Sequence, residues 1–149
     1  MKVTKARLEF LKKDAVQGFI KYIGLTPVSL KPGKFITRLK IAKRHLQQDG
    51  FAHAGVIATM ADHTAGYATY SLVPERQRIL TIEYKINFLR PVTGEFLECR
   101  AWVVKPGKQI LITEAEVYSI KGDVETLVAK VMHTMTSVPE GKISRAIQA

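Results

Sequence analysis

The sequence is poor in several features that define large classes of protein. Its 149 residues include a single cysteine, Cys99, so the chain can form neither an internal disulfide nor a cysteine cluster for a metal. No apolar run approaches the roughly 20 residues that a helix needs to cross a bilayer. Lysines interrupt the N-terminal apolar pattern where a signal peptide would continue it. We therefore expect a cytoplasmic protein with no membrane partner, in which Cys99 is a buried structural thiol.

Acidic residues are scarce in the first third of the chain. Residues 1–50 contain twelve Lys and Arg against three Asp and Glu, a net charge of +9, and the whole chain carries +10. This asymmetry favours a polyanionic partner, and it is equally compatible with a solvated basic surface. We do not expect the partner to be nucleic acid, because residues 1–50 show neither a helix-turn-helix nor an aromatic platform for stacking bases.

Hydrophobic patterning predicts one domain, residues 1–149, that combines helices with a sheet. Residues 1–27 are expected to form an amphipathic helix and a loop, with the helix packed on its own domain through Leu8, Leu11, Ala15, Phe19 and Ile23. A first strand is expected in residues 35–45, and an apolar helix in residues 54–72. The core of the domain then covers residues 35–138, and residues 139–149 form a tail.

The period of the apolar residues changes to two after the apolar helix. Residues 78–89 alternate and place one apolar set on a single face: Leu80, Ile82, Tyr84, Ile86 and Phe88. Three more strands follow, and the short stretches "RPVTGE", "PGK" and "KGD" predict turns between antiparallel neighbours. The predicted fold class is α+β, with an antiparallel sheet wrapped around one long central helix.

The central helix carries one carboxylate, Asp62, in an otherwise apolar stretch. An ionised acid inside a buried helix costs on the order of several kcal/mol unless it is paired or hydrogen-bonded. Residues 52–72 contain no Lys or Arg, and the helical neighbours of the acid are all small: Ala58, Thr59, Ala65 and Gly66. We interpret Asp62 as a functional residue. The alternative is a structural role, in which it pairs with a distant basic group or caps a backbone donor.

The start of the same helix is also lined by small residues. The first free N–H groups, around Ala54 and Gly55, combine with the positive end of the helix dipole and suit an oxyanion or a polarised carbonyl oxygen. A ligand can approach closely because the side chains are small.

Three motifs occur in a diagnostic order. "HAGVIATMADHTAG" is followed by "TIEYKINFLRPVTG" and then by "VVKPGKQILITEAEV". Together they resemble the hot-dog-fold acyl-CoA thioesterases of the phenylacetic-acid-degradation (PaaI-like) and 4-hydroxybenzoyl-CoA type, over residues 35–138. The resemblance implies hydrolysis of an acyl-CoA, no cofactor beyond the coenzyme A of the substrate, and a homodimer or dimer of dimers with its sites at the subunit interface.

The resemblance also implies a set of catalytic residues. These are the turn at the helix start, an acid within the helix, a hydroxyl on the next strand and an upstream amide: His53, Ala54, Gly55, Asp62, Thr81 and Gln47. Ala54 stands where the family has Gly, which its backbone role tolerates if φ is below zero. Gln47 stands where the family has Asn.

Residues 54 and 62 lie eight positions apart, roughly 12 Å along a helix. The resemblance therefore implies that the Ala54 and Gly55 amides of one protomer face Asp62 of the other. Asp62 then either activates a water as general base or attacks the thioester directly.

Other candidate residues have weaker support. We expect His53 to hydrogen-bond locally at the turn, with proton transfer as the alternative. We predict no metal site, because the His and Asp spacing does not suit one. Lys105, Gly107 and Lys108, with Arg90, are candidates for binding the charged end of coenzyme A, and a solvated hairpin tip explains the "KPGK" stretch equally well.

Two other functions remain open from the sequence. A hydroxyacyl-thioester dehydratase uses a His and a carboxylate on the same fold, although "HAG" with Asp fits its motif poorly. A non-catalytic module that binds acyl-CoA is the second alternative, and the presence of Asp62 argues against it.

Overall fold

The computed structural model describes residues 3–143. Within them the chain forms α-helices, strands and one 3-10 turn in the order α1 Lys5–Asp14, α2 Gly18–Ile23, β1 Leu25–Lys31, β2 Lys34–Lys40, the 3-10 turn Lys43–His45, α3 Ala54–Tyr70, β3 Gln77–Phe88, β4 Phe96–Lys105, β5 Ile110–Lys121 and β6 Val124–Pro139. Residues 144–149 of the predicted tail lie outside the described residues.

One six-stranded antiparallel sheet wraps the long helix α3. The strand order is β1-β2-β4-β5-β6-β3, and α3 packs on its inner face, mainly against β4, β5 and β3. Ala61, Ala65 and Ala68, spaced four and three residues apart, are fully buried, so their small side chains allow close packing on the sheet. The predicted α+β architecture is confirmed, as is a central helix that begins at Ala54.

The single cysteine lies in this core. Cys99 is fully buried on β4, and burial raises the pKa of its thiol to about 12. The interpretation of Cys99 as a structural thiol is therefore confirmed. In the part of the chain that the structure describes, no helix is both long and apolar enough to span a membrane.

The first strand, β1, is absent from the prediction. The end of residues 1–27 is expected to be a loop, yet Leu25–Lys31 pairs with β2. Pro27 is tolerated because β1 is the edge strand of the sheet, and the pairing register shifts between Pro27 and Ser29. The strand predicted for residues 35–45 is β2, which ends at Lys40.

The predicted N-terminal helix is two helices. α1 ends at Asp14 and α2 begins at Gly18, whose φ of +49° interrupts a continuous right-handed helix. Leu11 is fully buried, so the expected packing of α1 on its own domain is confirmed. Phe19 on α2 is exposed, contrary to its place in the predicted apolar face.

The turn predicted at "RPVTGE", which would join the strand of residues 78–89 to the next strand as antiparallel neighbours, is wrong. β4, β5 and β6 form a meander, whereas β3 pairs with β6 at the far edge of the sheet. Residues 89–95 are therefore a connection across the sheet rather than a hairpin turn. Its Val92 is buried, and the Val92 carbonyl accepts a hydrogen bond from the N–H of Ala52, just before α3.

A bulge in β3 also divides its predicted apolar face. The register with β6 shifts between Thr81 and Glu83, so Thr81 lies opposite Met135 and Tyr84 lies opposite His133. Thr81 and Tyr84 consequently both face α3, and Leu80 lies on the opposite face of the strand. The bulge thus directs a hydroxyl towards the central helix.

Candidate functional site

The start of α3 is built around His53. His53 is the residue that caps the helix, and its Nδ1 accepts a hydrogen bond of 2.8 Å from the N–H of Gly55. The local bond expected for His53 is present. One of the two predicted helix-end amides is therefore already engaged within its own protomer.

Ala54 retains an available amide. It is the first residue of α3. Its φ is negative, as it is for every described residue other than glycine. Among the described residues, its N–H has no hydrogen-bond partner. With a negative φ, Ala54 can present its backbone N–H as the family's glycine does.

Gln47 lies beside this helix start. It borders a cleft of about 390 Å³ together with Ala54, Phe88, Arg90 and other residues of the 47–57 and 88–92 segments. The side-chain oxygen of Gln47 accepts a hydrogen bond from the N–H of Asp49, which fixes the side chain locally. Its NH₂ group is the part left to contact a ligand.

Asp62 borders a second cleft, of about 290 Å³, which we call the Asp62 cleft. It is lined by side chains and backbone of α3, β3 and the end of α1: Asp14, Asp62, His63, Gly66, Tyr67, Tyr70, Arg78, Ile79 and Thr81. The Asp62 side chain is 38% exposed, and its Oδ1 accepts a hydrogen bond of 2.7 Å from the Thr81 hydroxyl. Among the described residues, no Lys or Arg lies within 4.0 Å of its carboxylate, and the basic side chain that does lie within that distance is a histidine, His133. A structural ion pair of Asp62 with Lys or Arg is therefore absent from the described chain.

The structure places a histidine next to Asp62 that sequence reasoning did not select. His133 on β6 is fully buried, and its Nε2 lies 3.9 Å from Oδ1 of Asp62. Burial lowers its pKa, while the Asp62 charge and the Thr113 backbone oppose that shift. The only signal in the sequence is a polar residue on the apolar face of an alternating strand, between Val131 and Met135.

The N-terminal segment closes one side of the Asp62 cleft. The Tyr67 hydroxyl donates a hydrogen bond of 2.8 Å to Asp14, and His63 Nε2 donates one of 2.9 Å to the carbonyl of Ala15. Burial, followed by the bond to Asp14, raises the pKa of Tyr67, and burial lowers the pKa of His63. These contacts give His63 a structural role, and they show that the end of α1 shapes the cleft.

The candidates for binding coenzyme A lie near different ends of α3. Arg90 borders the same cleft as Gln47 and Ala54, and its Nη1 donates a hydrogen bond of 2.9 Å to the carbonyl of Leu127. Lys108 and Gly107 lie beside residues 72–74, which follow the C-terminal end of α3. Lys105 precedes this turn at the end of β4, so within one protomer the turn lies away from the start of α3.

Gly107 has a steric reason to be glycine. A Cβ at this position would collide with the carbonyl oxygen of Ile110, whatever the turn binds. The structure thus accounts for Gly107 without a ligand.

Sequence comparison assigns the chain to a known family. Residues 49–126 match the family model of the thioesterase superfamily. The chain belongs to this superfamily. Human acyl-coenzyme A thioesterase 13 is 30% identical over 118 residues, which cover 76% of this chain and 83% of that protein. A 1,4-dihydroxy-2-naphthoyl-CoA hydrolase from Listeria monocytogenes is 23% identical over 100 residues, covering 67% of this chain and 81% of that protein.

A solved structure supports the same family. The crystal structure of a thioesterase family protein from Silicibacter pomeroyi has a TM-score of 0.85 and 32% identity, over 89% of this chain and 98% of that chain. This member of the thioesterase superfamily is therefore a thioester hydrolase with the hot-dog fold. Its membership favours hydrolysis over the dehydratase and the non-catalytic alternatives.

Proposed function

We propose that this thioesterase hydrolyses acyl-CoA to a free acid and coenzyme A, with Asp62 as the base or nucleophile. The observation that carries the proposal is the half-open carboxylate of Asp62, which Thr81 orients and no described cation neutralises. The human and Listeria relatives are both named for coenzyme A thioesters, which supports that substrate class.

The proposed reaction needs only a carbonyl activator and the carboxylate. The Ala54 N–H polarises the thioester carbonyl, aided by the dipole of α3, and Gln47 contributes its NH₂ group beside it. In the base route, Asp62 takes a proton from a water whose oxygen attacks the carbonyl carbon. The C–S bond then breaks, and the departing thiolate receives that proton.

In the nucleophilic route, an Asp62 oxygen attacks the carbonyl carbon and the thiolate leaves. The resulting mixed anhydride is then hydrolysed by water, which regenerates the carboxylate. Both routes release one acid and one thiol for each thioester. The reaction uses no cofactor other than the coenzyme A in the substrate.

The separation of the two groups supports a dimeric site. Ala54 and Asp62 border different clefts of one protomer, and eight residues of helix separate them by about 12 Å. We propose a homodimer, or a dimer of dimers, in which the start of α3 in one protomer faces Asp62 of the partner. β3 suits such pairing because it is an edge strand with exposed apolar side chains, including Leu80 and Ile82.

His53 is proposed to hold the turn rather than to transfer protons, because its Nδ1 already accepts from Gly55. Arg90 is the proposed contact for the phosphates of coenzyme A, since it shares a cleft with Ala54. The turn with Lys105, Gly107 and Lys108 is a second candidate that depends on how protomers assemble. The cytoplasmic location stays a prediction.

The test is release of free thiol from a panel of acyl-CoA substrates. We expect turnover by the wild type and a loss of about a thousandfold or more in Asp62→Asn, with retained binding, because the amide is neither a base nor an equivalent nucleophile. The matched control is Asp123→Asn, which changes an exposed carboxylate in the β5–β6 turn and should leave turnover unchanged. A wild type that binds every acyl-CoA and hydrolyses none, or an Asp62→Asn variant of full activity, contradicts the proposal.

A further inference from the structure

His133 is a fully buried polar side chain without a well-formed hydrogen bond. It is 0% exposed, and the backbone of Thr113 stabilises its charged form, but neither ring nitrogen has a described partner that meets hydrogen-bond geometry. A buried donor or acceptor without a partner is destabilising, and such groups are rare in native proteins. Its presence in an apolar core therefore calls for a function beyond packing.

Among residues 3–143, the charged group close to the ring is Asp62. Nε2 of His133 lies 3.9 Å from Oδ1 of Asp62, the same oxygen that accepts from Thr81. Tyr84 on β3 packs against the ring, with centroids 5.4 Å apart. The ring therefore contacts an aromatic side chain on β3 and lies next to the carboxylate on α3.

We propose that His133 is a positioning residue for Asp62, to which its Nε2–H donates a hydrogen bond when substrate closes the site. Hydrogen bonds in a catalytic site are often long in the free enzyme and shorten in the substrate complex. With Thr81, the histidine then holds the carboxylate from two sides. This inference rests on the proposed function, because the proposed role of Asp62 gives the bond its purpose.

The surroundings favour a neutral donor. Burial lowers the pKa of His133, so the ring is neutral at neutral pH. The titratable groups that face it are Asp62 from α3 and Tyr84 from β3. His63, Asp14 and Arg78 border the Asp62 cleft further away, and His63 and Arg78 have backbone hydrogen-bond partners of their own.

A pair of substitutions separates positioning from packing. His133→Gln retains an amide donor near the position of Nε2, whereas His133→Met fills the core without a donor. We expect His133→Met to lower kcat/KM about tenfold or more and to move the acidic limb of its pH profile to higher pH, because the anionic carboxylate loses a donor. His133→Gln should restore most of both.

Thermal unfolding shows whether a loss of activity in His133→Met is caused by unfolding. Removal of a buried polar group without a well-formed hydrogen bond should leave the Tm of His133→Met at or above the wild-type value. Unchanged activity and an unchanged acidic limb in the folded Met variant overturn the proposal. Equal losses in the Gln and Met variants also overturn it. If the Met variant does not fold, the Gln variant still tests the role of the donor. A folded His133→Gln variant that loses as much activity as Asp62→Asn counts against the proposal.

An NMR titration tests the pair without any activity. The His133 ring should titrate at a lower pH in Asp62→Asn than in the wild type, because the carboxylate that stabilises the imidazolium is gone. Identical titration in the two proteins overturns the pairing. If His133 titrates at a lower pH in Asp62→Asn but the wild type has no thioesterase activity, the interaction between His133 and Asp62 exists. In that case only the proposed function is wrong.

Discussion

The hydroxyl of Thr81 on β3 donates a hydrogen bond of 2.7 Å to Oδ1 of Asp62 on α3. This bond joins the edge strand of the sheet to the central helix at the Asp62 cleft. It exists because the bulge between Thr81 and Glu83 keeps Thr81 on the inner face of the strand. The bond orients the carboxylate, and the carboxylate remains 38% exposed.

Substitution of Thr81 tests how much its hydrogen bond to the Asp62 carboxylate contributes to turnover. Thr81→Val retains the shape of the side chain and removes the donor, so we expect kcat to fall about tenfold. Thr81→Ser retains the hydroxyl and should keep most of the activity. Thiol release at saturating acyl-CoA measures both, and a Val variant as active as the Ser variant contradicts the role.

The His53 cap should contribute to stability. His53→Ala leaves the Gly55 N–H without its partner, so we expect the free energy of unfolding to fall by about 1 kcal/mol. His53→Asn is the matched control, because Asn is a favourable capping residue and should restore the loss. Urea denaturation with equal m-values measures the difference. Equal stability of the Ala variant and the wild type shows that the bond contributes nothing.

Glu98 should make stability depend on pH. It is 5% exposed on β4 and accepts hydrogen bonds from Arg38 at 2.6 Å and Arg100 at 2.8 Å. Burial by itself raises its pKa, but the hydrogen bonds and charges of the two arginines outweigh burial, so the folded-state pKa lies below its usual value. Its stabilising contribution is complete above the unfolded-state pKa of about 4.3 and is lost as pH falls through the folded-state value.

We therefore expect Glu98→Gln to be less stable than the wild type by about 2 kcal/mol at pH 7, with a difference that shrinks as the pH drops below about 4. Glu125→Gln is the control: its carboxylate bonds to Arg100 at 2.7 Å but is 44% exposed, so its loss should cost less than about 1 kcal/mol. Chemical denaturation at several pH values measures both. A Glu98→Gln deficit that persists at low pH contradicts the assignment.

Arg90 should act on binding rather than on chemistry. We expect Arg90→Gln to raise KM for an acyl-CoA about tenfold and to leave kcat nearly unchanged, because a phosphate contact is made equally in the bound substrate and in the transition state. The same acyl group on a short thiol without phosphates should show little change between the two proteins. A double variant, Lys105→Gln with Lys108→Gln, compares the second candidate on the same substrates. Equal KM changes for both thioesters count against a phosphate contact by Arg90.

Local patterns predicted the antiparallel pairing of β4 with β5 and of β5 with β6, but not the partner of β3. The alternation in residues 78–89 identified β3 but not its partner, because the period of a strand is the same whichever strand lies beside it. β3 pairs with β6, about fifty residues later in the chain, and the bulge that orients Thr81 arises from that pairing. β1 was missed for a related reason, since Pro27 is acceptable in a strand only at the edge of a sheet.

The sequence by itself determined the central helix, the buried thiol, the α+β class and the isolated carboxylate at Asp62, because each depends on residue type and local spacing. The family resemblance grouped Thr81 with that carboxylate, whereas the contact distances and the presence of His133 came only from the tertiary structure. The structure placed Thr81 and His133 beside Asp62, and Arg90 but not Lys108 near Ala54. These contacts join residues far apart in the chain, and they follow from strand order and register, which no local pattern carries.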